Sequence, residues 1–254
     1  MINAPFEAAL VTGAGRRIGR AIALDLASGA LAVAVHYHGS AKAADALVAE
    51  IRAAGGTAAS INADLQDPVS VKDLIANAST ALGKPIDVLV NNAALYENDT
   101  LRDFTIESWD QHQQVNLLAP MILTQTLAAS LKGEKAGAVI NMIDQRVLKL
   151  NPQYFSYTIA KAGLWTATRT TAQALAPNIR VNAIGPGPTL ANTGQTPQEF
   201  SNEAASVPLG AGPSLAEITK AVRFLLESPS MTGQMIALDG GQHLAWQTKD
   251  ILKD

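Results

Sequence analysis

The chain of 254 residues contains no cysteine. Disulfides and thiolate catalysis are therefore excluded, and the composition is compatible with a cytoplasmic location. Histidine is scarce. His36 and His38 flank Tyr37, while His112 and His243 stand alone, so no spacing suits a metal. No apolar run reaches the roughly 18 residues that span a bilayer. The N-terminal Met1-Ile2-Asn3-Ala4-Pro5-Phe6-Glu7 lacks the basic segment and apolar core of a signal peptide. A surplus of positive charge is also missing. The net charge of −3 gives no electrostatic reason to expect nucleic acid or a membrane surface as partner.

What is present is a globular balance, 48% apolar and 16% charged, able to bury a large core. The length fits one large α/β domain or two small ones. No shift in composition marks a boundary, so a single domain over 1–254 is expected. Strands are predicted near Ala8–Thr12, Ala32–Tyr37, Thr57–Asn62, Asp87–Asn91, Ala138–Met142, Arg180–Ile184 and Gln234–Leu238. Helices are predicted near Arg17–Ser28, Ala41–Ala54, Pro68–Leu82, Glu107–Leu131, Tyr154–Ala176 and Leu215–Glu227. Such alternation implies parallel strands joined by right-handed crossovers. The strands are apolar runs, as expected where both sheet faces are covered. The fold class is α/β, a doubly wound sheet flanked by helices. Gly185 to Pro213, rich in Pro, Gly, Thr, Asn and Ser, breaks the rhythm and reads as a substrate loop or lid, or else as a disordered insertion.

The first strand runs into Thr12-Gly13-Ala14-Gly15-Arg16-Arg17-Ile18-Gly19. Glycine lets the backbone turn sharply and approach a diphosphate, and the following helix offers free N–H groups. The second strand ends in His36-Tyr37-His38-Gly39-Ser40 with no acid. A carboxylate there would bind a ribose 2′-hydroxyl and repel a 2′-phosphate. Its absence, with Arg17 and Ser40 in reach, points to NADP(H). The alternative is that His36, Tyr37 and His38 only cover the sheet edge. Asp64-Leu65, past the third strand, suits an adenine edge or a turn.

At the chemical end, Asn91-Asn92-Ala93-Ala94 closes strand four, where open α/β sheets bind ligands. Asn116 lies mid-helix, where Asn is not locally favoured. It holds a water for proton relay, or it satisfies a local carbonyl. Tyr157 and Lys161, four apart, leave one helix face, and the ammonium is expected to favour the phenolate. Asp144 precedes that pair by thirteen residues, as a reactive carboxyl or as a loop cap. Gly185-Pro186-Gly187-Pro188-Thr189 offers backbone and hydroxyl groups to a carboxamide, or forms a rigid turn.

Five motifs in this order, Thr12-Gly13…Gly19, Asn91-Asn92-Ala93, Asn116, Tyr157-x-x-x-Lys161 and Pro186-Gly187, resemble the short-chain dehydrogenase/reductase family over nearly the whole chain. The resemblance implies a Rossmann-like domain with a seven-stranded parallel sheet. It implies Tyr157 as proton donor, Lys161 on the nicotinamide ribose and Asn116 in a proton relay, and commonly a homotetramer. Arg17 replaces a loop glycine of that family and Asp144 replaces its Ser. Both departures, with His36-Tyr37-His38-x-Ser40, Asn141-Met142-x-Asp144 and Leu238-Asp239-Gly240-Gly241-Gln242-His243-Leu244, resemble the pteridine reductase branch. Gly39 stands where some of that branch carry Arg, which weakens the preference for NADP.

By this resemblance the substrate is a pterin or folate, such as a dihydropterin, reduced by hydride transfer to a ring C=N bond. Tyr157, helped by Lys161 and Asp144, supplies the ring-nitrogen proton, since an imine-type nitrogen needs an acid where a carbonyl needs a hydroxyl. Arg17 touches the substrate or the diphosphate. Tyr96 is the expected aromatic lid, or simple surface packing. The competing readings are an ordinary carbonyl reductase, for instance on an acyl carrier, and a non-catalytic cofactor-binding scaffold.

Overall fold

The computed structural model describes residues 6–131, 135–192 and 194–246. Seven strands form one sheet: β1 (Ala8–Val11), β2 (Ala32–Tyr37), β3 (Ala58–Asn62), β4 (Val88–Asn91), β5 (Gly137–Met142), β6 (Ile179–Pro186) and β7 (Met235–Leu238). Their order is β3-β2-β1-β4-β5-β6-β7, and every pairing is parallel. This is the doubly wound α/β fold that the alternation of the sequence predicts.

Alternating strand side chains feed two cores. On one face Val11, Val33 and Val90 pack with Ile22 and Leu26 of α1 (Arg17–Ser28), Leu47 of α2 (Ala41–Ala53) and Val222 of α8 (Leu215–Glu227). On the other, Leu10, Leu89 and Val181 meet Leu74 of α3 (Pro68–Leu82), Leu123 of α5 (Ala119–Ser130) and Ala172 of α6 (Phe155–Leu175). Both faces are covered, so the strands need no polar alternation. β1 pairs with β2 on one side and β4 on the other, so the chain direction of winding reverses there. A crevice opens at the carboxyl ends of these strands.

Two predicted elements differ. The single helix expected over 107–131 is α4 (Ile106–Gln113), a π-helical turn at Gln114–Leu118, and α5. Pro120 has no N–H for the carbonyl four residues earlier, that of Asn116, so the α-helical ladder cannot run through. Such π turns gather at functional sites. The segment Gly185–Pro213 is also more ordered than a loop. β6 extends to Pro186, and Pro197–Ala205 form α7. Thr196 and Glu199 close a capping box around Pro197, a helix start that was legible in Thr-Pro-x-Glu.

Candidate active site

A cleft of about 1170 Å³ follows the carboxyl ends of the strands, from Arg16 and His38 at one end to Asp144 and Tyr157 at the other. Its phosphate end is shaped by backbone. Gly13 has φ 62°, and a Cβ on it would sit 3.0 Å from the Cα of Ala93. A Cβ on Gly19 would meet Asn92 Nδ2 and the Gly13 carbonyl, both at 2.5 Å. Arg17 also lies in the left-handed region, φ 56°, which accounts for the glycine the resemblance expects there.

Several predicted contact residues, His36, Asp64 and Asn92 among them, line the cleft and also brace it. His36 is 1% exposed. Its Nδ1 accepts from Gly13 N–H at 3.0 Å, so Nε2 carries the proton and meets the Ala63 carbonyl at 3.1 Å. Burial lowers its pKa to about 4, and the ring is neutral. His36 thus holds the glycine turn from behind. Asn92 donates to the Thr12 and Gly13 carbonyls at 2.8 and 3.3 Å. The Thr12 hydroxyl accepts from the N–H groups of Asn92 and Ala93. Asp64 accepts from Gln66 N–H at 2.8 Å and closes a turn. Arg16, Ile18, Tyr37, His38, Ser40, Leu65, Ala93, Pro186, Gly187 and Thr189 line the cleft. Arg17 lines it too, but its guanidinium donates to the carbonyls of Leu190 and Ala191 at 3.2 and 2.6 Å, fastening the loop after β6.

At the chemical end Asp144 follows β5 and caps a 3₁₀ turn, Gln145–Val147. Its Oδ1 accepts from Arg146 N–H at 2.8 Å, and its Oδ2 accepts from the Tyr157 hydroxyl at 3.0 Å. Burial raises the Asp144 carboxyl, with Arg146, Tyr157 and Lys161 opposing. Burial, and then the Asp144 charge, raises the Tyr157 phenol well above its ordinary value. This corrects the expectation that Lys161 favours the phenolate. The Lys161 ammonium donates instead to the Met142 carbonyl at 2.7 Å and lies 5.8 Å from the Tyr157 ring centre. Burial lowers Lys161 to about 8. The phenol is held as an acid.

Asn116 is fully buried in the π turn. Its amide accepts from Leu95 N–H at 3.0 Å and donates to the Leu95 carbonyl at 2.9 Å, so the side chain clamps the loop that carries Tyr96. Of its two predicted roles, the local one matches these bonds. Asn91 donates to the side-chain oxygen of Asn141 at 2.8 Å.

Tyr96, expected as an aromatic lid or as simple packing, lines the cleft within a cluster of tyrosine rings. It stacks on Tyr154 with ring centres 4.2 Å apart and meets Tyr157 edge-on at 4.8 Å. The Arg146 guanidinium covers Tyr154 at 4.9 Å and donates to the Tyr96 hydroxyl at 3.4 Å. Tyr154, at φ 54°, is strained into the left-handed region just before α6. A second aromatic three residues before Tyr157 was the available signal. The Asp239 segment bears on the site indirectly: Gly187 lies so close to Asp239 that a Cβ would sit 2.7 Å from its Cα.

The enoyl-(acyl carrier protein) reductase family model matches residues 13–243. A 3-oxoacyl-[acyl-carrier-protein] reductase of Synechocystis is 35% identical over 92% of this chain and 96% of its own length. The structure of FolM alternative dihydrofolate reductase 1 from Brucella suis, in complex with NADP, superposes with a TM-score of 0.95 at 48% identity, covering 99% of this chain and all of that one. A blue fluorescent protein from a metagenomic library, in complex with NADPH, gives 0.85 at 30% identity over 92% of this chain and 97% of that chain. The full-length match, the parallel seven-stranded fold and the paired Tyr157 and Lys161 agree: this chain is an oxidoreductase of the short-chain dehydrogenase/reductase family.

Proposed function

We propose that this chain reduces a ring C=N bond of a dihydropterin or dihydrofolate with NADPH. The observation that carries the reading is the 3.0 Å bond between the Tyr157 hydroxyl and Asp144, a phenol and a carboxyl at one end of the cleft. The 48% identity to an alternative dihydrofolate reductase bound to NADP supports it. The cofactor fits the chain on structural grounds. The space beside Gly13 and Gly19 admits no side chain, and the end of β2 offers Tyr37, His38 and Ser40 but no carboxylate. Arg16, His38 and Ser40 are the groups for a 2′-phosphate. Pro186, Gly187 and Thr189 are those for a carboxamide.

NADPH, when bound, supplies the hydride. Tyr157 gives its proton to the ring nitrogen, and Lys161 is the group for the nicotinamide ribose. Asp144, which accepts from the Tyr157 hydroxyl, is the relay through which a proton taken up from solvent returns to Tyr157 after the transfer. Tyr96 and Tyr154 offer a flat wall for a planar ring, and the carboxyl favours protonation at nitrogen over polarisation of a ketone.

A second reading, reduction of a 3-oxoacyl thioester, is favoured by the names of the 33–35% identical relatives. NADPH consumption against dihydropterins, oxidised pterins, dihydrofolate and 3-oxoacyl substrates separates the two. Turnover of the ketones alone would sink the pterin reading.

A further inference from the structure

Behind the aromatic wall lies a buried polar cluster that the proton transfer does not use. Asp99, His112 and Ser156 are 7%, 0% and 0% exposed. The Ser156 hydroxyl donates to Asp99 Oδ2 and stands 2.8 Å from His112 Nδ1. His112 Nε2 accepts from Glu97 N–H at 3.3 Å, so Nδ1 carries the proton and points to Ser156 and to the Ser108 carbonyl. The same three residue types serve hydrolases, but here the bonds run from His to Ser to Asp. That order leaves the serine without a base to activate it. The cluster is a structural relay of hydrogen bonds.

What it joins is specific. Helix α6 carries Tyr157, and its first turn has no cap of its own, because Tyr154 is in the left-handed region and offers no side-chain bond. The orphan N–H groups are satisfied by the loop after β4. Asn98 Oδ1 accepts from Tyr154 N–H at 3.2 Å, the Asp99 carbonyl from Phe155 at 3.0 Å, and Asp99 Oδ1 from Ser156 at 3.0 Å. That loop also carries Tyr96, three residues before Asp99. One carboxyl therefore ties the wall and the acid to each other, and the His112 ring lies edge-on to Tyr157 with centres 6.3 Å apart.

We propose that Asp99, acting through Ser156 and His112, is a positioning residue that sets Tyr157 against Tyr96 and Asp144. The inference rests on the reading of Tyr157 as the proton donor, whichever bond is reduced. A charge alone would not require two acceptor atoms and a backbone carbonyl from one residue aimed at one helix end. A cap alone would not extend through the hydroxyl to a buried ring on α4.

The test uses Asp99→Asn, Asp99→Ala and Ser156→Ala in the full chain, with two readouts. The first is kcat on the best wild-type substrate beside the Kd for NADPH. The second is the pH titration of the Tyr157 ¹³Cζ resonance, assigned with Tyr157→Phe. Asp144, Lys161, Arg146, Tyr96 and His112 face that phenol and are unchanged in all three variants. Displacing a proton donor by about 1 Å costs roughly 100-fold in rate. Ser156→Ala and Asp99→Ala are expected to lose kcat on that scale, with NADPH affinity held within about twofold. Asp99→Asn, which keeps one acceptor oxygen, falls between wild type and Asp99→Ala. In all three, Tyr157 titrates at lower pH than in wild type as its contact with Asp144 slackens. Where Asp99→Ala does not fold, Ser156→Ala and Asp99→Asn decide. Wild-type kcat with an unmoved Tyr157 titration in those two overturns the proposal. So does a loss of activity that merely follows the folded fraction. The titration needs no substrate. A wild-type enzyme that reduces only ketones would thus defeat the pterin reading and leave this inference to stand or fall by itself.

Discussion

The Tyr157 hydroxyl donates to Asp144 Oδ2 across 3.0 Å. This single bond separates the site from one in which a lysine alone tunes the phenol. Replacing Asp144 with Ala is expected to lower turnover of a C=N substrate by about 100-fold or more. NADPH binding should persist. Asp144→Ser restores a hydroxyl at that position and should lose C=N reduction while gaining relative activity on 3-oxo substrates. Steady-state kinetics on both substrate classes checks this, and equal losses on both would contradict the assigned role.

Lys161 is 2% exposed, and burial lowers it from 10.5 to about 8. The unfolded chain holds more protons than the folded one between those values, so stability should rise as pH increases from 8 to 10.5. At neutral pH the buried charge costs roughly 3 kcal/mol, less what its bond to Met142 returns. Lys161→Met is therefore expected to raise the Tm and abolish turnover. A lower Tm in that variant would show that the Met142 bond outweighs the charge penalty.

Two buried groups give opposite slopes in acid. His36 is lowered to about 4, so its contribution is lost as pH falls from 6.5 to 4. Asp87 accepts from Glu7 and Ala8 N–H groups, yet burial raises it to about 6, so its contribution is lost as pH rises from 3.8 to 6. The wild type should thus show a shallow net dependence from these two. The stability gap between wild type and His36→Asn should widen as pH rises from 4 to 6.5, read by urea unfolding across that range. A constant gap would remove His36 as a titrating group.

Arg17 carries left-handed strain of about 1 kcal/mol and two bonds to the loop after β6. Arg17→Gly should relieve the first and forfeit the second, leaving the Tm nearly unchanged. The loop at Leu190–Ala191 should become more susceptible to limited proteolysis, and the KM of the reduced substrate should rise. Protection equal to wild type would show that the loop needs no such fastener.

The fold was legible because its signals are local. Every predicted strand appears, since runs such as Ala-Val-Ala-Val at 32–35 and Val-Leu-Val at 88–90 have no other place than a covered parallel sheet. The helix over 107–131 was misread because Pro120 was passed over inside an apolar pattern. At the site, the pair of Tyr157 with Asp144 was legible through the family resemblance, since spacing alone left Asp144 as a reactive carboxyl or a loop cap. The roles of His36, Asn92 and Asn116 were not, because their partners, Gly13, Thr12 and Leu95, lie about 20 to 80 residues away. A side chain that faces a cleft and one that braces it from behind share the same sequence signature. Tyr154 and Arg146 were missed because stacking on Tyr96 joins segments with no sequence relation.

The wall and the acid have different histories along the chain. Tyr157 and Asp144 are 13 residues apart, whereas Arg17 meets Leu190 across 173. Contacts of long sequence separation close late in folding, because a long loop must be ordered before they reward it. A refolding chain should therefore regain its buried phenol before it regains a closed cleft. In a stopped-flow experiment, tyrosine fluorescence would lead and competence to bind NADPH would follow. The molecule would acquire its acid first and the vessel that makes the acid selective only afterwards.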